Sequence, residues 1–186
     1  MIIRICIFAV FASLGATALP AQMTHGHGHL HGADGTGHDE MTMPGLRGRD
    51  ATLEESAELA LMFRNFDKIE REVENLPNGI RTVTVSDDPV VMDALVNHTV
   101  GMIDRVGQKR DPQVIIQSPT LDIFFERSEA IQSFVEITDE GLVVIQTSED
   151  PEVVAALHVH AAEVTAMAEQ GMHAVHQMMM QRSQDH

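Results

Sequence analysis

The segment SDDPVVMDALVNH at residues 86–98 returns as SEDPEVVAALHVH at residues 148–160. In each copy an aspartate stands directly before a proline, Asp88-Pro89 and Asp150-Pro151. That pair marks a helix start, because the aspartate caps the first turn and proline loses nothing at a position whose N–H has no intrahelical partner. Val91, Leu95 and His98 then follow at helical spacing, as do Val153, Leu157 and His160. The correspondence spreads outward at a constant offset of 62 residues: Phe63, Ile69, Val73, Glu74 and Gly79 meet Phe125, Ile131, Val135, Glu136 and Gly141. A repeat of that length is one supersecondary unit used twice.

Upstream of the first copy, two short runs at 69–75 and 80–85 flank Leu76-Pro77-Asn78-Gly79, a hairpin signal. Asp139-Glu140-Gly141 makes the corresponding turn. Before the first hairpin, Leu53, Ala57, Ala60 and Leu61 recur at helical spacing, and Thr52 with Glu55 forms a capping box, predicting a helix to about residue 67. Ser118-Pro119 opens its counterpart, while 114–117 suits either a short strand or a linker. The fold class expected is α+β: two tandem helix–hairpin–helix repeats, about 52–110 and 114–186. They form a pseudo-twofold, four-stranded antiparallel sheet with helices over one face, since neither hairpin buries enough surface alone. The last helix is expected to run as one long element from Pro151 to about Gln181.

Residues 1–21 read as a signal peptide: Arg4, an apolar stretch over 5–19, and a cleavage site at Leu19-Pro20-Ala21. That stretch is too short for a membrane anchor. The expectation is export to a periplasm or beyond, with no membrane span after the signal is removed. The sole cysteine, Cys6, leaves with it, so disulfides, thiolate ligands and cysteine nucleophiles are excluded from the mature chain. Residues 22–50 lack any apolar period and read as a disordered tail, leaving 51–186 as a single domain.

The 186 residues carry 28 acidic against 12 basic side chains, a formal charge of −16, which argues against nucleic acid or an anionic membrane as partner. Trp and Tyr are absent, yet there are 11 His and 12 Met. The sequence has no Gly-rich phosphate loop, nucleophile elbow or covalent haem-attachment motif. No residue is therefore assigned a catalytic role, and a binding role is expected ahead of an enzymatic one.

Three groups could hold a metal or cofactor. In the tail, His25, His27, His29, His31 and His38 alternate with small residues that let several imidazoles wrap one ion. Such a set favours Cu(II), with zinc and nickel also accommodated. Along the last helix, Met172, His173, His176, Met179 and Met180 share one arc with Glu169, while Met178 points elsewhere. Thioethers and imidazoles together suit copper in either oxidation state, although methionine also packs into irregular gaps. Finally, His98 and His160 interrupt the apolar stripes of equivalent helices and could share a metal or a haem iron across the pseudo-axis. His158 lies about 200° round the helix from His160 and is expected at the surface or as an outer partner.

The leading expectation is an exported copper buffer or metallochaperone, whose partners are the metal ion and a periplasmic acceptor protein. Alternatives are a haem- or metal-dependent protein using His98 and His160, or a partner-binding scaffold without metal; a homodimer is compatible with each.

Overall fold

The computed structural model describes residues 43–184. The signal peptide and the tail histidines His25, His27, His29, His31 and His38 lie outside the described residues. Two antiparallel hairpins build the sheet. Strands β1 (Glu70–Leu76) and β2 (Gly79–Val85) are joined through Pro77-Asn78, and β3 (Gln132–Thr138) and β4 (Gly141–Thr147) through Asp139-Glu140. The strand order is β1-β2-β4-β3, so β2 and β4 form the centre and pair antiparallel. Their register sets Thr82 opposite Val144 and Gly79 opposite Thr147. The α+β class and the four-stranded antiparallel sheet are as the sequence predicts.

Helix α1 (Leu53–Arg64) opens on the expected capping box: Glu55 N–H donates to Thr52 Oγ1 at 3.1 Å, and Thr52 N–H to Glu55 Oε2 at 2.7 Å. Helices α2 (Pro89–Gly107) and α4 (Pro151–Gln170) start on Asp88 and Asp150, whose carboxylates accept from the N–H of Val90 and Glu152. The core gathers Ile80, Phe124, Val153, Leu157 and Ala161, where α4 seats on β1 and β2. Helix α2 packs chiefly on α1. Buried Arg105, near the end of α2, donates to Asp50 Oδ2 at 2.9 Å, to the Asp50 carbonyl at 2.7 Å and to Glu55. The guanidinium of Arg105 holds the Glu55 carboxyl at about 2, well below the carboxylate range. One residue thus caps α1 and fastens it to α2. No helix among the described residues is long and apolar enough to cross a membrane.

Several expectations are corrected. Of the periodic residues of α1, Leu53 is 87 % exposed and Ala60 and Leu61 are half-buried, while Glu55, Leu59, Met62 and Phe63 line the interior space. The counterpart of α1 is a 3-10 turn, Pro119–Leu121, followed by the short α3 (Asp122–Glu126). Of the two alternatives open for 114–117 the linker holds, with an isolated bridge between Val114 and Gly48. Met43 and Leu46 are buried, so the packed chain starts ahead of the boundary expected at residue 51. The long last helix is two helices, α4 and α5 (Met172–Gln184), broken at Gly171 with φ +57°. The ring of Phe66 lies where a Gly171 Cβ would stand, 2.7 Å from Cδ1. His158 is half-buried: its Nε2 meets the carbonyls of Gly79 at 2.8 Å and Leu76 at 3.1 Å, holding α4 on the β1–β2 turn.

At Gly79 the two hairpins leave no room for a side chain, because a Cβ there would sit 1.9 Å from the Gln146 carbonyl oxygen and 2.8 Å from Thr147 Cα. Both are backbone atoms of a central strand and cannot swing aside. Gly79→Ala is therefore expected to lower stability by about 3 kcal/mol, the upper range for overpacking, read as a lower urea midpoint. An unchanged midpoint would show that β4 shifts freely.

Candidate functional site

Between the sheet and the helices lies a cavity of about 330 Å³. Its floor is one face of the central strands, Ile80, Thr82 and Thr84 with Leu142, Val144 and Gln146, as period-2 alternation requires. Its roof comes from the helices: Leu59, Met62 and Phe63 of α1, Leu95, His98 and Met102 of α2, Phe124 and Phe125 of α3, and His160, Val164 and Met167 of α4. Met178 of α5 closes one side. The volume falls within the roughly 300–1,000 Å³ typical of small-molecule sites, and the lining is mostly apolar with a few polar groups. No residue of α1 is fully buried, because its inward face meets this space rather than packed side chains.

The cavity brings His98 and His160 together. Both rings line it, and they are close enough for their charges to repel. Burial away from water pushes His98 down to about 4, with the attraction of Glu55 and the repulsion of His160 as smaller influences. The His98 ring is therefore neutral at physiological pH, with a nitrogen lone pair available to a ligand. The His160 ring packs edge-on against Phe124, with centroids 5.6 Å apart, and its Nδ1 lies 3.9 Å from Glu163 Oε2. Glu163 Oε1 accepts from Ser118 Oγ at 2.7 Å and Thr120 Oγ1 at 3.3 Å, while buried Oε2 has no hydrogen-bond donor among the described residues. Burial pushes the Glu163 carboxyl up, but its His160 and Ser118 partners outweigh that and hold it below its usual range.

Two charged groups at the cavity were not singled out by the sequence reading. Glu163 follows His160 by three residues, so helical spacing alone places it beside the ring. Arg71 lies on β1 and donates through Nη1 to Thr84 Oγ1 at 2.8 Å. Strand alternation is its signal: Glu70, Glu72 and Glu74 share one face, so Arg71 must point to the other.

The residues expected on the last helix are placed differently. On α5, His173, Met179 and Met180 are exposed, Met172 and His176 half-buried, and Ala174 and Val175 supply the buried face. The ring of His173 accepts at Nε2 from the Gln177 side chain, 2.9 Å away. The break at Gly171 leaves Glu169 on a different helix from these residues. Among the described residues there is no group of three or more His, Cys, Asp or Glu placed to hold a metal ion. No family model, curated protein or solved structure matches the chain.

Because His98 is neutral in the fold down to about 4 and ordinarily titrates near 6.5, the unfolded chain takes up its proton first as pH falls. Its contribution is absent above pH 6.5 and becomes destabilising through the window from 6.5 to 4, by about 3 kcal/mol at the lower end. In metal-free protein, His98→Gln should lose stability less steeply than the parent across that window, as urea midpoints at several pH values would report. Parallel curves would place His98 in contact with water.

Proposed function

We propose that this chain is an exported metal-binding protein whose folded centre is the cavity between His98 and His160, with copper as the metal. The observation that carries the reading is that both histidines, 62 residues apart, line one apolar space together with Met62, Met102, Met167 and Met178. Two imidazoles among thioethers form a soft donor set, and soft donors select Cu(I). Of the carboxylates, which suit harder cations, Glu55 is bound by Arg105 and Glu163 is held through Oε1 by Ser118 and Thr120, with Oε2 on the His160 side. The tail histidines serve in this reading as an arm that collects Cu(II), and the protein works as a copper buffer or metallochaperone that passes copper to an acceptor protein. Met172, His173, His176, Met179 and Met180 of α5 fit a second, more exposed point of exchange.

The repeat supports this placement. We read the domain as two copies of one unit, related by an axis through the Thr82–Val144 pair, whose members are themselves 62 residues apart. The Glu70↔Val85 pairing of the first hairpin recurs in the second as Gln132↔Thr147, also offset by 62. In this reading His98 and His160 are counterparts within the repeat, although α4 lies on the sheet and α2 chiefly on α1.

A second reading, haem held between the same two histidines, is favoured by the volume of about 330 Å³, which exceeds what one ion fills. One experiment separates the two. The exported protein is purified without a tag and titrated anaerobically with Cu(I) against a chromophoric chelator, and its optical spectrum is recorded. Replacing both His98 and His160 by Ala should weaken Cu(I) binding by about a hundredfold, the scale of losing metal-site groups. A variant with all five tail histidines changed to Ala should keep it, as should His173→Ala with His176→Ala. A Soret band that disappears in the His98/His160 variant would transfer the site to haem. Unaltered Cu(I) affinity without a Soret band would reject the cavity as a metal site.

A further inference from the structure

We propose that the cavity binds an organic anion, a carboxylate with an apolar body, through Arg71. This rests on the cavity being the functional site but not on the identity of any metal. Arg71 lines the cavity, and the side chain is largely withdrawn from water. Its Nη1 donates to the neutral Thr84 hydroxyl, and its Nε is buried with no acceptor among the described residues. A guanidinium withdrawn from water is costly unless a negative charge meets it. Neither carboxylate at the cavity acts on Arg71: Glu55 is bound to Arg105, and Glu163 accepts through Oε1 from Ser118 and Thr120. Glu70, Glu72 and Glu74 alternate onto the opposite face of the sheet. Burial accordingly lowers Arg71 to about 10, with no neighbouring acid to counter it.

The rest of the wall says what the anion is attached to. Leucine, isoleucine, valine, methionine and phenylalanine side chains together dominate it, so the body of the ligand is apolar. The residue 62 positions beyond Arg71 is Ser133, whose hydroxyl accepts from the Gln146 side chain at 3.1 Å. Gln146 in turn stands 62 positions beyond Thr84, the partner of Arg71. Where one half of the chain sets a cation, the other sets a neutral pair, so the site recognises a single charge at one end. A carboxylate fits better than a compact polar anion, because a guanidinium takes a carboxylate side-on through Nε and a terminal nitrogen. Nε is the atom left without a partner.

Calorimetric titration of the full exported protein, stripped of metal, with octanoate and with 1-octanol tests this. The two probes share a chain and differ in charge. Octanoate should bind one to one and about tenfold to a hundredfold more tightly than the alcohol, the range for a hydrogen bond to a charged group. Arg71→Met should bring the acid to the level of the alcohol, and Arg71→Lys should retain part of the preference. If Arg71→Met does not fold by circular dichroism, the wild-type comparison and Arg71→Lys decide. Equal affinity for acid and alcohol in the wild type, no binding of either, or a folded Arg71→Met that still prefers the acid would overturn the proposal. Cu(I) titration of the Arg71 variants keeps the readings apart: lost octanoate binding with Cu(I) affinity intact concerns only the anion site, whereas lost Cu(I) affinity in the His98/His160 variant with octanoate binding intact concerns only the metal.

Discussion

The antiparallel pairing of β2 with β4 is the constraint on which the rest depends. It joins two hairpins that would each be marginal alone into one sheet with a continuous inner face. It requires glycine at position 79, where the Gln146 carbonyl leaves no room for a Cβ. It also sets the positions of the helices: α4 lies on β1 and β2, fastened to their turn through His158. Thr82, Thr84, Val144 and Gln146 of these central strands then become the floor over which the helices stand.

What the helices do above that floor is unequal. Helix α4 buries Val153, Leu157 and Ala161 into the core. Helices α1 and α2 pack on each other and turn Leu59, Met62, His98 and Met102 toward open space. Arg105 makes that arrangement rigid without filling it, since its bonds to Asp50 and Glu55 hold α1 by its N-terminal end. A closely packed interior is the usual state of a small domain, so an apolar void of this size calls for an occupant. The groups left around it point to the occupant's chemistry: imidazoles and thioethers on the roof, and on the sheet a guanidinium that meets no carboxylate among the described residues. A metal between the histidines and an anionic group at Arg71 are compatible, since a carboxylate ligand also neutralises the charge of a bound cation.

The local grammar of the fold was legible because it depends on short-range chemistry. Asp88 and Asp150 cap their helices, Thr52 and Glu55 form their box, and the two turns fall where Asn78-Gly79 and Glu140-Gly141 stand. Misread features all depended on partners distant in sequence. Gly171 is an ordinary helix residue until Phe66 arrives against it. The helical period of α1 does not say which of its residues turn inward, and the tie between Glu55 and Arg105 sets that orientation. His158 was placed outside because a helical wheel carries no knowledge of the turn that α4 covers. At the site, the spacing of His98 and His160 within the repeat was readable, but the space between them was not. Arg71 could have been found from strand alternation alone, had its acidic neighbours been read as one face.

The central claim is that the cavity, rather than the surface of α5 or the tail, is where this protein holds its ligand. Long-range nitrogen–proton NMR of the histidine rings, recorded as Cu(I) is added anaerobically to the purified protein with its histidine-rich tail, decides this. The account predicts that the ring nitrogens of His98 and His160 shift together at the first equivalent, before those of His173 and His176. Shifts confined to the tail or α5 histidines, with His98 and His160 unmoved, would contradict it.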